Sequence, residues 1–438
     1  MATAVAIFWF RRDLRLEDNA GLHHALTCGL PVLPLFIFDR NILDRLENRA
    51  DRRVEFIQAA LVWLQEGLAG RGTSLEVRDG RPLEVFNEIL GEWDVKAVYT
   101  NTDYEPEAVD RDEGVKKLLA LKRVPFYSFK DQVIFEKNEV VKANGEPYTV
   151  FTPYSKRWKS LLTAHGLHGY ASARHEGGFL PRREVEVPAL AELGFERTGG
   201  PFPSNALLPE ILRQYKDRRD WPAVVGTSRL GVHLRFGTVS IRHLVRRALR
   251  ESETYLTELI WREFFQMILW YFPAMGRGRA FKPSYEKIGW RNNEREFQCW
   301  CEGRTGYPIV DAGIRELNAT GFMHNRVRMI AASFLAKHLL IDWRWGEAYF
   351  AEKLLDFDLA SNNGNWQWAA GCGCDAAPYF RIFNPIVQAS RWDPESRYIQ
   401  AWVPEWGTPA YSAPIVEHAT ARERALAAYK KALSGRGE

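Results

Sequence analysis

Cysteine is scarce: there are five in 438 residues, an odd number that argues against a disulfide framework. Cys299/Cys301 and Cys372/Cys374 form C-x-C pairs. Without C-x-x-C spacing or a nearby histidine pair, they read as buried free thiols rather than metal ligands, and no metal is expected. No apolar run reaches the roughly 18–20 residues that span a bilayer. The start, Met1-Ala2-Thr3-Ala4-Val5-Ala6-Ile7, lacks the basic head and long apolar core of a secretory signal. The expectation is a cytoplasmic protein with no membrane partner. G-x-G-x-x-G is missing after the first strand pattern, so the usual dinucleotide fingerprint is excluded. Internal repeats and low-complexity tracts are absent as well.

What is present is a globular composition, with 46% hydrophobic and 26% charged residues. A chain this long exceeds one ordinary core, which predicts two domains. The net charge of +4 is uninformative, but its distribution is not. Arg213 to Arg250 holds ten Lys or Arg against two Asp, a local net of +8 that suits a polyanion-facing surface or, alternatively, a solvated helix face.

Residues 1–130 alternate strand and helix patterns. Val5–Phe10, Val32–Phe38, Leu75–Arg78, Ala97–Thr100 and Pro125–Phe129 read as strands, the first two as nearly continuous buried runs. Arg53–Leu68, Pro82–Glu92 and Ala108–Leu121 read as helices between them. Repeated β-α-β units predict a doubly wound, mostly parallel α/β sheet. Periodicity fades over 131–205, which reads as a connector. From 206 to 438 the pattern is all-α, clearest at Tyr255–Phe272, Tyr307–Asn318, Asn325–Leu340 and Trp345–Leu355.

The densest chemistry lies in Asn362-Asn363-Gly364-Asn365-Trp366-Gln367-Trp368, just after Asp356-Phe357-Asp358. At about 100° per residue Asn362 and Trp366 share a helix face, whereas Trp366 and Trp368 are about 200° apart and should meet different surroundings. An aromatic core helix is the competing reading on pattern alone.

Further motifs stand in order along the chain: Phe8-Trp9-Phe10-Arg11-Arg12-Asp13-Leu14-Arg15, Thr227-Ser228-Arg229-Leu230, Glu258-Leu259-Ile260-Trp261-Arg262-Glu263-Phe264, Thr305-Gly306-Tyr307-Pro308, Met323-His324-Asn325-Arg326 and Tyr379-Phe380-Arg381-Ile382-Phe383-Asn384-Pro385. Together they resemble the photolyase/cryptochrome family, most closely its class I cyclobutane pyrimidine dimer photolyases, from about residue 4 to 430. The resemblance implies an N-terminal α/β domain and a C-terminal helical domain that holds flavin adenine dinucleotide (FAD). It assigns the flavin to Tyr215, Thr227, Ser228, Arg229, Leu230, Gly231, Tyr255, Arg262, Arg328, Asp356, Phe357, Asp358 and Asn362. Gly231 departs from a frequent serine and Tyr255 from a frequent tryptophan. A hydroxyl-rich helix start at Thr227-Ser228 suits phosphate, its alternative being a plain helix cap. Asn362 matches the residue at the flavin N5 edge, with helix capping as the alternative. A neutral amide there points toward repair, because plant cryptochromes carry an acid. Trp366, Trp343 and Trp290 match the family's electron-transfer chain.

The same resemblance implies a deoxyribodipyrimidine photo-lyase, a carbon–carbon lyase. Light-excited reduced FAD donates an electron to a pyrimidine dimer flipped out of DNA, and both cyclobutane bonds break. Glu258, Asn325 and Met329 join Asn362 as catalytic candidates. Glu258, Trp261, Phe265, Asn325, Arg326, Trp368 and Gln388 are the DNA-contact candidates, with Arg328 and Arg277-Gly278-Arg279 as further phosphate partners. Photolyases of (6-4) photoproducts carry histidines where Asn325 and Met329 stand, so the cyclobutane dimer is the expected lesion, and His324 reads as a structural donor. The DNA is single- or double-stranded and the protein is read as a monomer. Asp103, Glu105 and Arg111 resemble the antenna region of members that bind a deazaflavin rather than a folate; a solvated loop with no antenna is the alternative. The rival function is a blue-light cryptochrome photoreceptor, disfavoured by Asn362, Met329, Trp368 and the short tail after about residue 430.

Overall fold

The computed structural model describes residues 3–434. Met1 and Ala2, part of the stretch read for a leader, and 435–438 of the tail lie outside the described residues. The chain divides into two compact units. The first is built from Met1–Glu139, Trp158–Ala206 and Arg229–Arg250, the second from Val140–Arg157, Leu207–Ser228 and Glu251–Glu438.

The first unit holds five parallel strands: β1 (Ala4–Phe10), β2 (Val32–Asp39), β3 (Glu76–Gly80), β4 (Asp94–Asn101) and β5 (Phe126–Phe129), in the order β3-β2-β1-β4-β5. β1 lies at the centre and is buried along nearly its whole length, which is why its sequence is a continuous apolar run rather than an alternation. Val5, Ile7, Trp9, Leu33, Leu35, Phe86, Ile89 and Val98 pack into one core. The helices Ala20–Leu26, Arg52–Ala69, Pro82–Glu92 and Pro106–Leu121 supply the crossovers. The strand order reverses at β1/β4, where loops after the strands' carboxyl ends form the usual ligand-facing edge of such sheets.

That edge carries the antenna candidates in an ion-pair cluster. Arg12 reaches Asp103 at 3.2 Å and Glu105 at 2.9 Å, and Arg235 also pairs with Glu105. Burial alone would raise the Asp103 carboxyl, but Arg12, Arg11 and Arg111 outweigh it and hold it down at about 2. Arg11 and Arg111 flank the Trp9 ring at 4.8 and 5.1 Å. The basic Arg213–Arg250 run is not one cationic surface. Arg242 is buried and hydrogen-bonded to Asp18 and Asp131, Arg235 holds Glu105, and Arg219 pairs with Glu258. Linear charge counting misses carboxylates that folding brings from 39 to 224 residues away.

In the second unit, helices pack around Trp300, Ile314, Leu317, Phe334, Leu335, Trp343, Phe350 and Trp366. No helix among the described residues is long and apolar enough to cross a membrane. The segment read as Asn325–Leu340 is a helix only over Asn325–Ser333; a π turn follows at Phe334–His338. The widened turn places the buried Lys337 ammonium 3.2 and 3.1 Å from the carbonyl oxygens of Tyr379 and Arg381, so an internal polar partner interrupts the helical period. The stretch read as connector contains the helix Phe151–His165. Cys372 and Cys374 are buried, and burial pushes both thiols up to about 12.

Candidate active site

The helix Leu359–Ala370 carries the central motif. Its cap is Asp358, whose side chain accepts from the Ser361 N–H at 3.1 Å. With the cap supplied there, Asn362 is released for another role. Its Nδ2 donates to the backbone carbonyl and to Oε1 of Glu347, both at 3.0 Å, which turns the amide so that Oδ1 has no partner among the described residues. Glu347 was not singled out from sequence; only the packing of its helix, Trp343–Lys353, on Leu359–Ala370 brings the two together. Burial raises its carboxyl above the usual range.

Two glycines let neighbouring helices approach, Gly346 between Trp343–Lys353 and Leu359–Ala370, and Gly364 between Leu359–Ala370 and Glu253–Tyr271. A Cβ on Gly346 would lie 2.1 Å from the Trp366 ring, and one on Gly364 would lie 2.3 Å from Phe265. Trp366 is therefore gripped edge-on, against Phe350 at 5.0 Å and Trp300 at 6.1 Å, and its indole N–H finds no acceptor among the described residues.

An open cleft lies over this helix. Asn325, Arg328, Met329, Asp356, Phe357, Asp358, Asn362, Trp366 and Trp368 all line it, with apolar wall from Phe350, Leu354 and Ala369. Both indoles of the motif reach the one cleft, so the expectation of separate surroundings is corrected. They differ in burial instead: Trp366 is enclosed, whereas Trp368 is half-buried. The cleft's breadth spans more of the helix than the single face assumed by 100° spacing. Arg328 meets both Asp356 oxygens, at 3.1 and 3.0 Å, and is thereby held at the cleft wall.

Glu258, Trp261 and Phe265 sit on the neighbouring helix Glu253–Tyr271, outside the lining set. Glu258 is ion-paired with Arg219, a partner that sequence spacing gave no means of finding. Phe265 is buried under Gly364. Tyr255 meets the Ser228 hydroxyl at 3.1 Å and stacks edge-on against Tyr215 at 5.0 Å. Thr227-Ser228 does not begin a helix. The next helix, Gly231–Phe236, is capped by Leu230 without a side-chain bond, and Arg229 has a left-handed backbone (φ 52°) that turns the chain in between. Arg229, Leu230 and Gly231 group with the first unit. Arg262 is half-buried on the Glu253–Tyr271 helix.

Arg326 pairs with Asp220 at 2.6 Å and lies 4.5 Å from the Trp392 ring, whose Nε1 donates to Gln388 at 3.2 Å. His324 caps the helix, its Nδ1 accepting from the Arg326 N–H at 3.2 Å. Trp343 is buried in the same core as Trp366, and Trp290 lies half-buried at that core's edge against Tyr429. The three indoles thus run from an enclosed to a partly exposed setting.

A cleft with an amide carbonyl, an arginine–carboxylate pair and aromatic lining suits a planar, polar-edged cofactor. Residues 255–409 match the family described as the FAD binding domain of DNA photolyase, and residues 6–171 match the one described as DNA photolyase. The chain is 38% identical to a deoxyribodipyrimidine photo-lyase from Escherichia coli, over 98% of this chain and 99% of that one. A bacterial class III photolyase from Agrobacterium tumefaciens superposes with a TM-score of 0.87 at 32% identity, covering 99% and 98% of the two chains. A Synechocystis cryptochrome gives 0.85 at 26%, covering 98% and 99%. The chain belongs to the DNA photolyase family. It is a lyase of the photolyase kind, a flavoprotein whose FAD-binding domain is mostly helical.

Proposed function

We propose that this enzyme repairs cyclobutane pyrimidine dimers in DNA. The observation that carries the reading is the convergence of Asn325, Met329, Trp368 and Asn362 on one cleft, with no histidine at either of the positions where (6-4) photolyases place one. FAD fits the site: the unengaged Asn362 carbonyl and the Arg328–Asp356 pair suit the polar edge of its ring. When bound, FAD supplies the light-driven electron for opening the dimer.

The chain's residues do the rest. Glu347 holds the Asn362 amide with its carbonyl directed away, ready to accept an N–H. Glu258, released from Arg219, hydrogen-bonds a thymine of the dimer. Trp261 and Trp368 flank the flipped bases, while Asn325 and Met329 give polar and soft apolar contact. Arg326 and Gln388 meet phosphates, which set position without reading sequence. Trp290, Trp343 and Trp366 relay electrons inward. Tyr215, Thr227, Ser228, Tyr255 and Arg262 hold the rest of the dinucleotide. The protein works on single- or double-stranded DNA as a cytoplasmic monomer, and Asp103, Glu105 and Arg111 border any antenna.

The deciding assay mixes protein, a dimer-containing oligonucleotide and blue light. Restored thymines in the light and none in the dark are expected; intact dimers after illumination of the flavin-loaded protein would sink the proposal. The likeness to the Synechocystis cryptochrome favours a second reading, light signalling through a partner, and that negative result would support it.

A further inference from the structure

Trp261 does not stand alone. Phe151 lies flat on its indole, with ring centroids 3.6 Å apart and planes 5° from parallel. Phe265, one helical turn along, approaches it at 5.6 Å. Phe151 is itself buried and sits at the start of the Phe151–His165 helix. Its backbone N–H donates to Asp375 Oδ2 at 3.1 Å.

Asp375 closes the Cys372-Gly373-Cys374-Asp375 stretch that follows the Trp368 helix. This stretch is folded back on that helix. Gly371 ends the helix with φ 90°, the Gly373 N–H donates to the Gln367 carbonyl at 3.0 Å, and a Cβ on Gly373 would lie 3.0 Å from Trp368 N. Asp375 keeps a left-handed backbone (φ 46°), which aspartate and asparagine tolerate better than most residues. A continuous line therefore runs from Trp261 through Phe151 and Asp375 to Trp368.

We propose that Phe151 and Asp375 are positioning residues that fix the separation and tilt of the two indole walls. This rests on the dimer-repair reading above. Two covalently joined pyrimidines present a rigid wedge, so a slot of set width favours them over ordinary bases, which can adjust. A flat ring clamped on one face of Trp261 removes rotational freedom before the lesion arrives, and preorganised walls lose less entropy on binding. The Cys372-Gly373-Cys374-Asp375 stretch thereby serves as a tie.

The test measures dissociation constants of the FAD-loaded protein for a dimer-containing and an undamaged oligonucleotide. Phe151→Leu keeps apolar bulk but loses the flat ring; Asp375→Gly keeps the left-handed turn but loses the acceptor. Each should lower the preference for damage about three- to tenfold, the range of an aromatic stacking pair, and leave undamaged-DNA binding and bound flavin unchanged. Phe151→Tyr and Asp375→Asn should restore the preference to within about twofold, and combining Phe151→Leu with Asp375→Gly should add little to the larger single effect, because both break one line. Full preference in both Phe151→Leu and Asp375→Gly, or equal losses on damaged and undamaged DNA, overturns the proposal. A parent protein that does not discriminate overturns the repair reading itself, and this proposal with it.

Discussion

Asn362 and Trp366 are one helical turn apart, and each has a polar atom without a partner among the described residues. In Trp366→Phe the ring still fills the slot beside Gly346, but the easily oxidised indole is gone. Photoreduction of oxidised flavin should fall at least tenfold, while repair by protein already reduced chemically stays near the parent rate. Equal photoreduction in both would remove Trp366 from the relay. Gly346→Ala tests the slot. Its methyl would sit 2.1 Å from the Trp366 ring and 2.5 Å from Leu335, with both neighbours buried. Overpacking of this kind costs about 1–3 kcal/mol, so thermal unfolding should shift down by several degrees. An unchanged midpoint would show that the helices can part freely. Asn362, Trp366 and Trp368 were legible because they sit in one short motif. Glu347, Arg219 and Phe151 were not, since each acquires its meaning only from a partner that folding delivers from another segment.

At the scale of elements, the π turn ends at His338, buried and 2.8 Å (Nε2 to Nδ1) from His418, which opens the helix His418–Ser434. Burial, with His418, Arg424 and Lys337 nearby, pushes the His338 imidazole down to about 3. Burial likewise takes His324 down to about 4. Both are therefore neutral in the folded protein, while the unfolded chain takes up protons near pH 6.5. The unfolded state binds more protons between those values, so stability is lost as pH falls from about 6.5 toward 4, by up to about 1.4 kcal/mol per pH unit for each histidine. Unfolding midpoints measured from pH 7 to 4 should drop, and His338→Gln should flatten the decline. A parallel decline in that variant would acquit His338. Most strands and helices were readable because apolar period reports burial directly: β1 and β2 are near-continuous runs, and Pro82–Glu92 opens on a proline suited to a first turn. The π turn and the Phe151–His165 helix were not readable, because both are shaped by tertiary partners, Lys337 by distant carbonyls and Phe151 by Trp261.

For the whole molecule, the modest net charge hides how DNA would be gripped. Several arginines of the basic run are engaged with carboxylates, so affinity should depend on fewer phosphate contacts than the count of cations suggests. Arg326 and Trp261 separate the two terms of binding. Arg326 touches Asp220 and the Trp392 ring, and on the dimer-repair reading it is a phosphate partner that adds to any DNA. Arg326→Ala should weaken binding to damaged and undamaged oligonucleotides alike. It should also reduce the slope of log affinity against log salt by about 0.9 for duplex or 0.7 for single strands, the value of one released phosphate contact. On the dimer-repair reading, Trp261 offers a base-stacking surface that only a flipped lesion can use. Trp261→Ala should cost about 1–3 kcal/mol on dimer-containing DNA, leave undamaged DNA within about twofold, and keep the salt slope of the parent. Titrations at several salt concentrations on both oligonucleotides give all these quantities at once. Should Trp261→Ala retain the preference for damage, the wall lies elsewhere and the lesion pocket must be redrawn. Should Arg326→Ala lose binding only on damaged DNA, its guanidinium serves the lesion rather than the backbone.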